Sequence, residues 1–195
     1  MRIIAGRHRG RRLSALPVAA AATRPTADRV RQALFDVLWH APWASRAAVE
    51  GALVLDAFAG TGALGLEALS RGAARAAFLE TDRAALAVLR ANIAACREAE
   101  RCAVLDADAT RPPPRAPEPT CTLAFLDPPY GKGLVPLSLR ALSDAGWIAP
   151  DALVCAEVEA APARGVPPPP GFVLLAERVH GPARVLFLRP AEAAG

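Results

Sequence analysis

The segment 124-AFLDPPYGK-132 joins an apolar run to a carboxylate, two prolines and an aromatic ring. The Asp127 carboxylate and the Pro128 carbonyl can both accept hydrogen bonds from an amino group. Pro128 and Pro129 each restrict φ to a narrow range, so these acceptors need little reorganisation. The Tyr130 ring can stack on a nucleic-acid base that has been turned out of its helix. These residue types indicate chemistry on the exocyclic amine of a base, whose nitrogen such acceptors would make more nucleophilic.

A second group of chemically capable residues lies in 56-DAFAGTGALGLEAL-69. Gly60, Gly62 and Gly65 form the pattern G-x-G-x-x-G between an apolar run and a helical pattern, and Glu80 follows Gly60 by twenty residues. This arrangement is the dinucleotide fingerprint, in which glycines permit close backbone approach and the acid accepts ribose hydroxyls. Asp56 directly precedes the loop, where its charge would repel a pyrophosphate and suit a ligand that carries a positive amino group.

An NAD-dependent dehydrogenase is therefore a rival interpretation of the glycine motif. The three histidines, His8, His40 and His180, stand in no recognisable catalytic context for hydride transfer. We expect each of them to be structural or solvated.

Strands and helices must alternate to position these residues. Continuous rather than alternating apolarity is typical of strands buried on both faces of a parallel sheet, and helical patterns lie between such runs, one with Asp82 as its expected N-cap. The sequence predicts an α/β fold with a mostly parallel sheet, helices on both faces and a C-terminal antiparallel hairpin, whose ligands bind beyond the carboxyl ends of the strands. The predicted strands are 53–58, 76–80, 102–106, 122–127, 152–158 and the hairpin pair 172–179 and 183–189.

The N-terminal region is strongly basic. Residues 1–31 carry a net charge of +7, against −3 for the remaining chain. They contain a glycine-rich stretch predicted to form two short strands, followed by a helix with Thr26 as its expected N-cap. Guanidinium groups suit phosphate, so we expect this region to contact nucleic acid. The candidate arginines are Arg2, Arg7, Arg9, Arg11, Arg12, Arg24, Arg29 and Arg31.

Composition excludes some classes of protein. Apolar residues make up 53% of the chain, but no run approaches the length of a membrane span. A secretory signal is an alternative interpretation of the basic start and 13-LSALPVAAAAT-23, although Pro17 and the helix signals that follow speak against it. Four cysteines without any C-x-x-C pair favour buried thiols over a zinc site, so we expect no metal. Two proline-rich stretches, 112–119 and 167–170, are expected to be stiff surface connectors.

The order of D-x-F-A-G-T-G, the acids Glu80 to Asp82, D-A-D-A at 106–109 and D-P-P-Y at 127–130 resembles a class I S-adenosylmethionine-dependent methyltransferase. More narrowly, 2-RIIAGRHRGRRL-13, 24-RPTADRVRQALF-35 and the two chemical motifs resemble the ribosomal small-subunit methyltransferase D family. The resemblance extends from residue 2 to about residue 189. It implies a Rossmann-like class I methyltransferase fold with a seven-stranded sheet and a small basic N-terminal extension.

The resemblance also implies roles for individual residues. Asp56 and the loop from Phe58 and Ala59 through Gly60 to Gly62 would hold the methionine part of S-adenosylmethionine. Glu80 would bind the ribose hydroxyls, and Asp108 with the backbone of Ala109 would meet the adenine. Asp127, Pro128, Pro129 and Tyr130 would form the catalytic motif.

We therefore expect a cytoplasmic, monomeric enzyme that methylates N2 of a guanine in small-subunit (16S) rRNA, free or within an assembling or assembled 30S subunit. Residues 1–45 would form an RNA-contacting extension and residues 46–195 the catalytic domain. Two alternatives remain open beside the dehydrogenase. An adenine-N6 DNA methyltransferase also uses D-P-P-Y, but this chain has no room for a separate domain for base readout. A non-catalytic module could retain only the cofactor fold.

Overall fold

The computed structural model describes residues 1–16, 24–115, 120–160 and 167–191. A seven-stranded sheet organises these residues. Its strands are β1 (Leu53–Asp56), β2 (Arg75–Glu80), β3 (Cys102–Asp106), β4 (Cys121–Leu126), β5 (Ile148–Glu159), β6 (Phe172–His180) and β7 (Ala183–Pro190). The α-helices of the described residues are α1 (Arg24–His40), α2 (Ala63–Ser70), α3 (Arg83–Cys96) and α4 (Leu134–Asp144).

The strand order is β3-β2-β1-β4-β5-β7-β6. The first five strands of that order run parallel, whereas β7 pairs antiparallel with both β5 and β6. Since parallel strands end at one edge of a sheet, the carboxyl ends of β1, β2, β3 and β4 lie side by side. The structure confirms the predicted Rossmann-like sheet with its C-terminal antiparallel hairpin.

Both faces of the sheet are covered, which explains the continuous apolar runs. Val54 of β1 packs into one hydrophobic cluster with residues of α1, α2 and α3, and the next residue, Leu55, packs into a second cluster with residues of α4. Alternate residues of β1 therefore pack into opposite clusters.

Two predicted N-caps have different outcomes. Asp82 caps α3, because its side chain accepts a hydrogen bond from the Ala85 amide at 2.7 Å. The prediction of Thr26 as the cap of α1 is wrong, because the helix begins at Arg24. Pro25 then occupies the first helical turn, where its fixed φ and missing N–H are tolerated.

The N-terminal segment folds back on itself. A single antiparallel bridge joins Arg2 and Arg12, and Ile3 exchanges backbone hydrogen bonds of 2.9 Å with Arg11 and Gly10. Ile3 and Leu13 are buried in the same cluster as the strands of the sheet. The extension thus shares the main hydrophobic core; the domain boundary after residue 45 stays a prediction.

Gly6 lets this segment approach α2 closely. A Cβ atom at Gly6, whose φ is +79°, would lie 1.9 Å from the carbonyl oxygen of Ser70. Arg7 and His8 continue the contact, since their amides donate to the Ser70 carbonyl at 2.9 Å and to its hydroxyl at 3.0 Å. The close approach therefore requires glycine at this position.

Several other predictions concern the periphery. The four cysteines are free, and three of them are buried. Residues 112–115 and 167–169 lack regular secondary structure, whereas residues 116–119 of the first connector and Pro17 of the alternative signal sequence lie outside the described residues. No helix in the described part of the chain has the length and apolarity to cross a membrane.

Candidate active site

The loop between β1 and α2 is fixed to the neighbouring strands by its backbone. After β1 ends at Asp56, the Ala57 amide donates to Phe125 of β4 at 2.9 Å and the Ala59 amide donates to Leu79 of β2 at 3.0 Å. Gly62, with φ of +81°, turns the chain into α2. The loop thus lies at the carboxyl edge of the sheet, between β2 and β4.

Asp56 is a buried acid beneath this loop, with 2% of its surface exposed. Its Oδ2 atom accepts a hydrogen bond from the Gly65 amide at 3.0 Å. Burial is the main cause that raises its pKa to about 7; the Gly65 hydrogen bond opposes this shift and the Glu80 charge adds to it. Among the described residues, no arginine or lysine forms an ion pair with Asp56. A ligand ammonium group would provide the missing positive charge.

The glycines of the motif have different tasks. A Cβ atom at Gly60 would meet no heavy atom within 4 Å, so this residue borders open space where a ligand can approach. A Cβ atom at Gly65 would lie 2.3 Å from the Phe78 ring. Gly65 therefore serves helix–strand packing, as the third glycine of such fingerprints does.

Glu80 ends β2 directly beside the loop. Its Oε2 atom accepts from the Gly60 amide at 2.7 Å, and Oε1 accepts from the amides of Thr81 at 2.7 Å and Asp82 at 2.8 Å. These bonds fix the half-buried carboxylate at the loop, where the fingerprint places the acid that binds ribose.

Asp108 lies beyond the end of β3 and is exposed. Its Oδ1 atom accepts from both the amide and the hydroxyl of Thr110 at 2.8 Å, so the carboxylate closes a short turn. Ala109 beside it is buried. The turn places Asp108 at the same edge of the sheet as Glu80. The contact of Asp108 and Ala109 with adenine stays a prediction.

A cavity of about 520 Å³ joins the glycine loop to the D-P-P-Y motif. Asp56, Phe58, Ala59 and Gly60 line one side, and Asp127 and Tyr130 line another. Two motifs separated by some seventy residues of sequence therefore meet in one space. The described residues that line this cavity do not include Gly62, Glu80, Asp108, Ala109, Pro128 or Pro129.

Asp127 directly follows β4 and opens onto the cavity. Its side chain is exposed at the cavity. Desolvation is the main cause that raises the pKa of Asp127 to about 7, and the charges of Glu157 and Asp56 raise it further. Two acids at this edge of the sheet therefore titrate near neutral pH.

Tyr130 is 41% exposed beside Asp127. Its hydroxyl donates a hydrogen bond to Oε1 of Glu157. Desolvation and this hydrogen bond raise the pKa of Tyr130, so the hydroxyl keeps its proton and remains a donor. A ring tethered at its hydroxyl and exposed at the cavity can offer a face for stacking.

The sequence analysis missed several walls of the cavity. Val30 and Leu34 reach it from α1, and His180 and Pro182 reach it from the turn of the C-terminal hairpin. Glu157 of β5 also lines the cavity. The one sequence signal for Glu157 is that 152-ALVCAEV-158, like the other strands, carries an acid near the end of an apolar run.

The candidate arginines divide into two groups. Arg31 is buried, with its guanidinium 2.6 Å from the Arg2 carbonyl and 2.8 Å from Asp28. Arg7 donates to the Leu69 carbonyl and pairs with Glu98 at 3.2 Å, and Arg11 donates to the Ala95 carbonyl at 2.5 Å. Internal partners thus engage these three guanidinium groups, and the Arg24 side chain lies outside the described residues.

Arg2, Arg9, Arg12 and Arg29 form the second group and are exposed. Three of them, Arg2, Arg9 and Arg29, line one groove of about 460 Å³ between the N-terminal segment and α1. The groove adjoins the cavity, because Met1 and Val30, the chain neighbours of Arg2 and Arg29, line the cavity wall. The N-terminal segment and α1 therefore contribute residues both to the basic groove and to the cavity that holds Asp127.

Comparisons with known proteins place this arrangement among methyltransferases. The model of a family described as conserved hypothetical protein 95 matches residues 1–189. The chain is 40% identical to ribosomal RNA small subunit methyltransferase D of Escherichia coli over 98% of this chain and 91% of that protein. It is 34% identical to the protein of the same name in Haemophilus influenzae, over 93% and 89%. The solved structure of yhhF, a proposed methyltransferase from Escherichia coli, has a TM-score of 0.80 at 35% identity and covers 99% of both chains.

Proposed function

The chain belongs to the conserved hypothetical protein 95 family, which is the family of the ribosomal small-subunit methyltransferase D proteins, and we propose that it methylates N2 of a guanine in small-subunit rRNA. Family membership decides against the oxidoreductase interpretation of the glycine motif. The single observation that carries the proposal is the cavity in which Asp127 and Tyr130 face the glycine loop, with the basic groove adjoining it.

The residues along the sheet edge fit S-adenosylmethionine as the methyl donor. When bound, this cofactor supplies an electrophilic methyl group on a sulfonium ion. Asp56 is buried beside the cavity without an ion pair among the described residues, and it would bind the ammonium group of the methionine part. Phe58, Ala59 and Gly60 would line that part of the site, Gly62 would hold the loop by its turn into α2, and Glu80 would accept the ribose hydroxyls. Asp108 and the backbone of Ala109 would meet the adenine.

Asp127 would act on the target nitrogen. The lone pair of a guanine N2 amine is delocalised into the ring, which makes the amine a poor nucleophile. A carboxylate that accepts one N2 hydrogen, with the Pro128 carbonyl accepting the other, favours a more tetrahedral nitrogen whose lone pair is available. The nitrogen gains the methyl group and loses one proton to the ionised Asp127 or to water. Pro129 and Pro128 keep the acceptors in place.

Tyr130 and the arginines would bind the RNA. The exposed Tyr130 ring would stack on the flipped guanine, and Arg2, Arg9 and Arg29 would bind backbone phosphates along the groove. We leave Arg7, Arg11 and Arg31 out of the contact set, because their guanidinium groups already bind the protein. The enzyme would recognise folded rRNA, free or within a small subunit, largely by shape, and would act as a monomer in the cytoplasm.

Methyl transfer from labelled S-adenosylmethionine tests the proposal. The substrates are small ribosomal subunits that lack their own modifications, protein-free small-subunit rRNA and unmethylated duplex DNA, each followed by nucleoside analysis and mapping of the labelled nucleotide. We expect N2-methylguanosine from the ribosomal substrates alone. Label in DNA as N6-methyladenine would overturn the substrate, and cofactor binding without any turnover would indicate a non-catalytic module.

A further inference from the structure

Glu157 lies beside Asp127 at the carboxyl edge of the sheet. β4 and β5 run parallel with Leu126 paired to Ala156, so Asp127 and Glu157 are the next residues on neighbouring strands. Phe125 and Cys155, two residues earlier on each strand, pack in the cluster that contains α1. Because side chains alternate along a strand, Asp127 and Glu157 project toward the same side of the sheet, where both line the cavity.

The two carboxylates are close enough to influence each other. The charge of Glu157 is the second-largest cause that raises the pKa of Asp127, after desolvation. Such like-charge proximity is unfavourable unless a ligand offers hydrogen-bond donors or positive charge to both groups. The cavity therefore favours a ligand with adjacent donors.

Tyr130 sets the orientation of Glu157 without exhausting it. The tyrosine hydroxyl engages Oε1 of Glu157. An ionised carboxylate has about four acceptor positions, so Glu157 can bind a further donor while it holds the tyrosine. The carboxylate and the exposed ring are thus positioned together, as an acceptor beside a stacking face.

We propose that Glu157 determines base specificity by accepting the N1–H of the target guanine while Asp127 accepts from its N2 amine. Guanine presents N1–H and N2–H₂ as neighbouring donors on its Watson–Crick edge. Adenine presents a lone pair at N1 next to its amine. That lone pair would face the Glu157 carboxylate, and no proton would lie between the two acceptors. This assignment rests on the proposed function and names the residue that makes its choice of base.

The test compares guanine with 2-aminopurine, which keeps the N2 amine but has a lone pair at N1. Single-turnover methyl transfer is measured on small-subunit rRNA that carries either base at the mapped nucleotide. We expect the wild-type protein to modify 2-aminopurine at least about 100-fold more slowly than guanine, because its N1 cannot donate to the half-buried Glu157 carboxylate. In Glu157→Gln the amide NH₂ can donate to that lone pair, and we expect the difference to shrink to within about 10-fold.

Tyr130→Phe is the matched control for the tyrosine contact. It removes the hydroxyl that binds Glu157 and keeps the ring, so we expect it to slow both substrates by similar factors and leave their ratio high. Thermal unfolding and cofactor affinity are measured for Glu157→Gln to establish that the isosteric variant is folded.

Two outcomes overturn the role of Glu157 alone. One is a wild-type protein that modifies both bases at the same rate; the other is a Glu157→Gln variant that slows both equally, as expected of a residue that only anchors Tyr130. By contrast, no transfer by the wild-type protein to guanine RNA, with cofactor binding intact, overturns the proposed function and this assignment with it.

Discussion

Two groups of acids in this molecule have opposite surroundings. Glu67 of α2 is fully buried, accepts from the Ile4 and Ala5 amides at 2.7 and 3.0 Å, and pairs with Arg71 at 2.8 Å. Asp56 and Asp127, at the carboxyl edge of the sheet, have no such cation among the described residues.

Glu98, like Glu67, is a buried acid with cationic partners. Glu98 is 4% exposed and binds His8 at 2.5 Å, Arg7 at 3.2 Å and Arg101. Together Glu67 and Glu98 attach the N-terminal segment to α2 and to the end of α3. The comparison teaches that a buried acid with cationic partners stabilises the fold, whereas an acid at the sheet edge without them is available to a positively charged or donor-rich ligand.

Removing a paired acid gives the largest expected effect. Glu67→Ala leaves two backbone amides and the buried Arg71 without their acceptor, and we expect it to lower the free energy of unfolding by about 3–5 kcal/mol. Denaturant unfolding measures the change. The exposed Asp144→Ala serves as control, and a loss from Glu67→Ala no larger than in that control would contradict the stabilising role.

Removing an unpaired acid should spare the fold and abolish the chemistry. We expect Asp127→Ala to slow methyl transfer by about 10³-fold, equivalent to about 4 kcal/mol, because the target amine loses its acceptor. Single-turnover transfer and calorimetric titration of the cofactor measure the two properties separately. An equal loss of cofactor affinity would contradict the assignment of Asp127 to the base.

Replacing Asp56 is expected to change stability and cofactor binding in opposite directions. Its pKa is higher in the folded chain than the usual 3.8, so the folded state binds the extra proton and the unfolding free energy falls as pH rises from about 4 through about 7. Asp56→Asn removes this loss, and we expect it to stabilise the cofactor-free protein at pH 8 by roughly 2–4 kcal/mol while weakening cofactor binding.

Chemical denaturation at pH 5 and pH 8 measures the stability change. Other carboxylates contribute to the pH profile, so the informative quantity is the difference between the wild-type protein and Asp56→Asn, with the exposed Asp144→Asn as control. A variant whose profile parallels the wild-type profile would show that Asp56 is already stabilised as an anion.

Substitutions of arginines in the basic groove are expected to have the smallest effect. We expect Arg9→Ala and Arg29→Ala each to weaken RNA binding uniformly across sequences and to reduce the slope of log K against log salt by about 1. Binding titrations at several salt concentrations measure the slope. Arg140→Ala, on the exposed surface of α4, is the control, and a change in slope equal to that in Arg140→Ala would remove the groove from the RNA interface.

Local signals account for what could be predicted from the sequence. The apolar runs predicted the strands because the central strands β1, β2 and β4 are buried on both faces, and the glycine motif predicted a loop at the sheet edge. An acid at or just after the end of an apolar run identified Asp56, Glu80 and Asp127 as candidate site residues. These features depend on residues close together along the chain.

The remaining features depend on distant partners. Arg31 belongs to a basic run, but its burial involves the Arg2 carbonyl 2.6 Å away and Glu67, whose carboxylate is 3.7 Å away. Glu157 was missed because its position beside Asp127 follows from the register of β4 with β5, and no local pattern encodes that register.

The turn of the C-terminal hairpin, which supplies His180 and Pro182 to the cavity wall, has a consequence for protein synthesis. Until β7 is made and pairs with β5 and β6, β5 is an open edge strand and no sheet holds the hairpin turn at the cavity. A nascent chain therefore carries the complete glycine loop and D-P-P-Y motif before it has a closed pocket for a base. We expect a chain that ends before β7 to be inactive on rRNA.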